Sequence, residues 1–168
     1  MNKLNVIANL IDRAIEIIGK VVSWLTLAMV ITTMLIVLLR YGFNLGAIYM
    51  QESLVWFHSA IFLLGSAYTL QQNEHVRVDI LYRSFSQQKQ DWINTIGILI
   101  FVFPVCTYFV IVSWGFVYAS WSVNEISRDA GGLPYPAIPI LKSMLIMMPI
   151  TLILQSLSIL IKTKISRT

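Results

Sequence analysis

Apolar positions in this chain run on for far longer than a soluble helix or strand requires. Four stretches, Val21–Leu39, Ser53–Asn73, Trp92–Asn124 and Ser143–Ile161, contain no Asp, Glu, Lys or Arg. A helix crosses the hydrocarbon core of a bilayer in roughly 20 residues, so each stretch is long enough or nearly so. Val21–Leu39 has no polar stripe, and a helix that is apolar all round is buried in protein or in lipid. The pattern predicts an all-α integral membrane protein with four transmembrane helices, over residues 21–39, 53–71, 93–117 and 143–161, in a single membrane domain spanning 1–168. The third stretch is too long for one perpendicular crossing. Trp92 at one end and Trp114, Tyr118 and Trp121 near the other are residue types that prefer membrane interfaces. Trp92 to Trp114 covers roughly 33 Å as a helix, so this helix is expected to tilt or to continue beyond the outer interface.

A different period precedes the first span. Leu4, Ile7, Leu10, Ile11, Ile15 and Ile18 recur at helical spacing, while Asn5, Asn9, Asp12, Arg13 and Glu16 fall on the opposite face. Residues 4–19 therefore read as an amphipathic helix that lies in the membrane interface or docks on a partner. Between spans one and two, Gly42, Asn44 and Gly46 suit a tight turn. The connection 71–91 is longer, and its second half, with Ile80, Leu81, Phe85 and the polar run Gln87–Gln90, is expected to form a surface helix. The connection Asn124–Pro139 is the most distinctive part of the chain. A glycine pair, Gly131 and Gly132, permits a sharp turn, and three prolines, Pro134, Pro136 and Pro139, are expected to hold the backbone extended before span four.

Composition supports the same class. Apolar types make up 57% of the 168 residues and charged types only 12%, about half the charged share of a soluble domain. The charges also orient the spans. Lys3, Arg13, Lys20, Arg77, Arg83, Lys89, Lys162, Lys164 and Arg167 fall on one side if all four spans cross, and only Arg40, Arg128 and Lys142 on the other. The rule that cytoplasmic loops carry the excess of Lys and Arg then puts both termini in the cytoplasm. The net charge of +4 reads as this topology signal, and no nucleic-acid partner is expected. No cleaved signal peptide is expected either, because the first apolar run is long and no small-residue cleavage pattern follows it.

Catalytic chemistry finds little support. Cys106 is the single cysteine, which excludes an intramolecular disulfide. No nucleophile elbow and no phosphate-binding loop is present. His75 with Glu74 and Asp79 has the look of a metal cluster, yet structural zinc takes four ligands and nothing nearby completes the set. His58 is the one histidine within a span; alone it cannot supply paired haem ligation, and a hydrogen-bonded place between helices fits it better. Glu52 is the acid nearest a span. It sits at the outer end of span two, where a charge costs far less than at the bilayer centre, so structural pairing, with water or Arg40, or a partner contact is expected of it in preference to ion coupling. Pro104 and Pro149 fall inside spans three and four and are expected to bend them.

Several short features occur in a telling order. Arg40-Tyr-Gly-Phe-Asn44 closes span one, and Glu52, Trp56, Phe57 and Gly65-Ser-Ala-Tyr68 follow in span two. His75-Val-Arg-Val-Asp79 comes next, then Glu125 and Gly131-Gly-Leu-Pro134 before span four, with Lys142 and Gln155 in it. In this order and spacing, across almost the whole chain, the sequence resembles the small membrane subunit, of the DctQ or SiaQ type, of tripartite ATP-independent periplasmic (TRAP) transporters. The departure is at Tyr49-Met-Gln-Glu52, where the family's usual pair of acids is reduced to one.

The resemblance implies a bacterial inner-membrane scaffold and not an enzyme. A periplasmic solute-binding protein captures the substrate, usually an organic acid, and a large permease subunit carries the substrate and sodium sites through an elevator-type motion. This chain would hold no cofactor, sodium being bound by the large subunit, and would contact that subunit, the binding protein and membrane lipid. Arg40, Glu52, Trp56, His75, Asp79, Glu125, Gly131, Gly132 and Pro134 are its motif or partner-interface candidates. A stand-alone proton-coupled exporter would place an acid in mid-membrane in span one, where this chain has none. A membrane redox anchor would need paired histidines or cysteines.

Overall fold

The computed structural model describes residues 3–74 and 85–166, and every regular element among them is helical. In chain order these are α1 (Lys3–Phe43), α2 (Ile48–Gln71), α3 (Gln87–Gly97), a π-helical turn (Ile98–Val102), α4 (Phe103–Ser122) and α5 (Ala137–Ser166). The segment from α3 through the π turn to α4 is continuous, so the chain has four helices long and apolar enough to cross a membrane.

The first and last of these helices overrun their charge-free stretches at both ends, and the other two at their N-terminal ends. The 41 residues of α1 make a rod of roughly 60 Å, about twice the hydrocarbon thickness. Residues 4–19 are the first part of this rod and not a separate helix, because no proline interrupts the hydrogen-bond ladder between Lys3 and Phe43. The seam that α1 buries shares only Ile15 with the expected Leu/Ile stripe. Ala8, Ile15, Gly19 and Val22 are buried, whereas Leu4, Ile7 and Leu10 are exposed. Positions 8, 15, 19 and 22 belong to one alternating three- and four-residue repeat, the spacing of a helix-packing seam, and Asp12 occupies its missing step. Asp12 therefore faces the bundle.

The third long helix changes pitch at Pro104. Proline lacks an N–H and its ring collides with the carbonyl four residues back. The chain meets this with a π turn immediately upstream, where the Phe103 N–H reaches the Ile98 carbonyl five residues back, and Pro104 then sits in the first turn of α4. Gln87–Gln90, expected on a surface helix of the long connection, instead open α3 and run straight into the span; Ile80 and Leu81 lie outside the described residues.

Three helices end in the same way. Asn44, Asn73 and Asn124 follow α1, α2 and α4 with φ of 53°, 62° and 48°. Asparagine tolerates this left-handed conformation better than other non-glycine residues, so each stops its helix within a residue or two. The first turn thus rests on Asn44 and on the Leu45 N–H bonded to the Leu39 carbonyl at 2.9 Å, with Gly42 still inside α1.

α5 is the spine. It packs against α1, α2 and α4, while α1 and α2 form an antiparallel pair beside it, and it is the most buried of the four spans. Much of what it buries is small or polar: Thr151, Gln155, Ser156 and Ser158. Such residues let helices approach and bond across their interface in lipid. Pro139, expected in the extended lead-in, lies buried in the first turn of α5, where a missing N–H leaves no intrahelical bond unmade.

The α1–α2 pair depends on Gly19. A Cβ at this position would lie 2.2 Å from the Tyr68 ring, so only a glycine lets the two helices meet there. Gly19→Ala is expected to lower the thermal midpoint of the detergent-purified chain, at an overpacking cost of about 1–3 kcal/mol. Gly97→Ala is the control: nothing lies within 4 Å of its Cβ, and its midpoint is expected to stay or rise.

Candidate functional site

The connection from α4 to α5 is held as a rigid cap by carboxylates on both sides. Glu52 projects from the first part of α2. One of its oxygens accepts the Leu133 N–H at 2.5 Å, and the other accepts the Ser127 hydroxyl. Ser127 in turn takes the Asp129 N–H at 3.1 Å, and the Gly132 N–H bonds to the Asp129 carbonyl at 3.0 Å. Residues 127–133 thus close into a compact turn around the Glu52 carboxylate. The glycine pair is what allows it. Gly131 has φ +82°, a conformation that glycine adopts without strain. A Cβ on Gly132 would stand 2.2 Å from the Ser127 hydroxyl and 2.7 Å from a Glu52 oxygen.

Trp56, one helical turn beyond Glu52 on the same face of α2, continues the grip. Its indole N–H donates to the Ala137 carbonyl at 3.3 Å, and the Pro134 carbonyl accepts the Ala137 N–H at 3.0 Å, so α2 braces the start of α5. The Tyr135–Pro136 peptide between them is cis.

Glu125 performs the second closure. One of its oxygens accepts the Ser120 hydroxyl at 2.6 Å and the Lys142 ammonium at 2.5 Å, joining the end of α4 to α5. Lys142 also stands 4.1 Å from the centre of the Phe116 ring, a cation–π contact from α4. Trp121 adds a bond from its indole N–H to the Ser143 hydroxyl at 3.0 Å and an edge-on contact with Tyr135. The Lys142 ammonium and the Ser120 hydroxyl hold the Glu125 carboxyl below the usual carboxylate range.

A second polar cluster lies at the opposite edge of the bundle. Asp12 of α1 pairs with Lys162 and accepts the Ser158 hydroxyl at 2.6 Å and the Gln155 amide at 3.1 Å, all from α5. Gln71, the last residue of α2, donates to the Asp12 carbonyl at 2.7 Å. One acid thereby ties three helices together.

Of the residues singled out from sequence, Glu52, Trp56, Glu125, Gly131, Gly132 and Pro134 come together in the cap. Arg40 does not join them; it is exposed beside the first turn with Asn44 and Gln51, and the groups bonded to Glu52 come instead from the α4–α5 connection. His75 and Asp79 lie outside the described residues. His58 is exposed on α2, so it does not take the expected place between helices of this chain. Asp12, Ser120, Ser127 and Lys162 also take part, and no motif in the sequence marks them as a site. Asp12 alone carried a readable signal, its place in the 8-15-19-22 repeat. Among the described residues, no group of three or more His, Cys, Asp or Glu is placed to hold a metal ion.

Two outcomes test the cap. Glu52→Gln turns one acceptor into a donor facing either Ser127 or Leu133, and Gly132→Ala pushes a methyl into the same space. Both are expected to lower the thermal midpoint and reduce the yield of folded protein several-fold, as small stability losses commonly do; unchanged midpoints would show that the turn stands without Glu52. Glu125 predicts a pH dependence. Its carboxyl takes up a proton less readily in the folded chain than in the unfolded one, so its contact stabilises above the usual carboxylate range and weakens as pH falls through and below that range. The wild-type midpoint is expected to fall towards that of Glu125→Gln as the buffer is taken from neutral to about pH 3.

The cap lies wholly within a match to a family model, which spans residues 29–163, from the middle of α1 to near the end of α5. The family is described as the DctQ component of tripartite ATP-independent periplasmic transporters, a transporter component and not an enzyme. Neither a curated protein nor a solved structure gives a match. With four spans and a family match over most of its length, the chain belongs to the DctQ-component family of tripartite ATP-independent periplasmic transporters.

Proposed function

We propose that this chain is the fixed scaffold of its transporter. It stands in the inner membrane with both termini cytoplasmic, and the large permease subunit carries an organic acid and sodium past it in an elevator-type motion. The outer cap carries the reading: Glu52, Trp56 and the Glu125–Lys142 pair tie α2, α4 and α5 to one connection. A wall against which another subunit slides has to resist shear, and three helices bonded through one turn do so better than apolar contacts alone.

The chemistry of the spans supports the same role. Their charge-free stretches offer no relay of ionisable groups of the kind that marks an ion path. On the outer face, Ile126, Arg128 and Asp129 are exposed on the rigid turn. They form the surface on which the periplasmic binding protein docks in this reading. His75 and Asp79 shape the cytoplasmic connection in it and bind no ion.

Reconstitution separates scaffold from carrier. The chain alone in liposomes is expected to move no organic acid under a sodium gradient, and uptake to appear when the large subunit and the binding protein are added. Sodium-dependent uptake by this chain alone would sink the proposal. In the complete transporter Glu52→Gln is expected to reduce the amount of assembled complex and leave the sodium dependence of the remaining uptake unchanged.

A further inference from the structure

A groove of about 590 Å³ opens sideways between α1 and α2, with Met148 and Leu152 of α5 along it. It runs from Gly19 to Thr26 along α1, about 10 Å, a third of the hydrocarbon thickness. Its wall asks for hydrocarbon. Of the hydroxyl-bearing residues along it, Ser23, Ser66 and Thr69 donate to carbonyls of their own helices, at Lys20, Leu63 and Gly65, so these three call for no polar occupant; Thr26 and Tyr68 also line it.

A partner helix would need small residues that let it approach closely. The tightest approach, at Gly19, is already taken within the chain by the Tyr68 ring, while Gly65 stays open on the groove with Val22 4.0 Å from its Cβ position. The groove also has a charged mouth. Lys20 immediately precedes the charge-free stretch of span one and Glu74 immediately follows that of span two, so both stand at the membrane edge, where lipid headgroups lie. Glu74 lines the groove. Lys20 is bonded to Glu16 at 2.5 Å, and an ammonium carries three donors, so that bond leaves others to offer. Lys20 and Glu16 offset one another, and the Glu74 carboxylate on the groove favours a headgroup that brings its own cation.

We propose that this groove binds an acyl chain of a zwitterionic aminophospholipid of the phosphatidylethanolamine class, its ammonium on Glu74 and its phosphate towards Lys20. The occupant is a lipid and not a protein helix, and the site is independent of the scaffold reading, since it rests on the membrane location alone.

The test uses the full chain in nanodiscs made from equal parts phosphatidylethanolamine and phosphatidylglycerol, released into the gas phase for native mass spectrometry. The wild-type chain is expected to retain phosphatidylethanolamine several-fold over phosphatidylglycerol. Glu74→Gln should bring the two towards parity with no fall in thermal midpoint. Ser66→Leu, which fills the groove from its wall, should remove the retained lipid; circular dichroism checks that the variant is folded. Equal retention of both lipids by wild type, or a preference that Glu74→Gln leaves intact, overturns the proposal. So does a cross-link in intact membranes from Ser66→Cys to another polypeptide, which would give the groove to a partner helix.

Discussion

Lipid tails accept no hydrogen bonds, and they give two apolar helices no hydrophobic reason to associate. This constraint governs the fold. The outward faces of α1 and α4, with Trp24, Met34, Phe109 and Trp114 exposed, are as content against lipid as against another helix. What fixes the arrangement is close packing where side chains are small and polar bonds near the two membrane edges. Asp12 supplies the latter at one edge, Glu52 and Glu125 at the other.

All three acids close on α5 or on the connection that leads into it. The polar residues that α5 buries therefore have an architectural meaning: Ser158 and Gln155 meet Asp12, and Lys142 meets Glu125. A helix clamped at both ends holds its neighbours at a set angle even where the middle of the bundle offers only van der Waals contact. In the scaffold role proposed above, such stiffness matters more than an internal polar path.

Much of this was legible from residue order. The four spans followed from charge-free runs, because nothing in a soluble core competes with that signal at such length. The glycine pair and Glu52 stood out as unusual, yet the bond from the Leu133 N–H to Glu52 did not, because it joins residues 81 positions apart and no local period encodes it. Asp12 falls opposite the apparent stripe because the larger side chains, Leu4, Ile7 and Leu10, dominate it; the seam that packs is built on Ala8, Ile15, Gly19 and Val22, and the small Ala8 and Gly19 conceal it. Pro104 announced a bend, but the π turn that absorbs it at Ile98–Val102 is a choice among several ways of meeting a missing N–H. The expectation of extended backbone at Pro139 missed that the first turn of a helix also tolerates proline.

The cap holds its turn through a main-chain N–H at Leu133, a hydroxyl at Ser127 and a missing side chain at Gly132. The side chains of Ile126, Asp129 and Ala130 are exposed beside it and supply none of those atoms. Evolution can therefore rewrite the display on this turn without renegotiating the frame beneath, much as a loop on an antibody varies over a constant sandwich. A substitution at the tip changes what the turn presents and leaves the bonds that hold it in place.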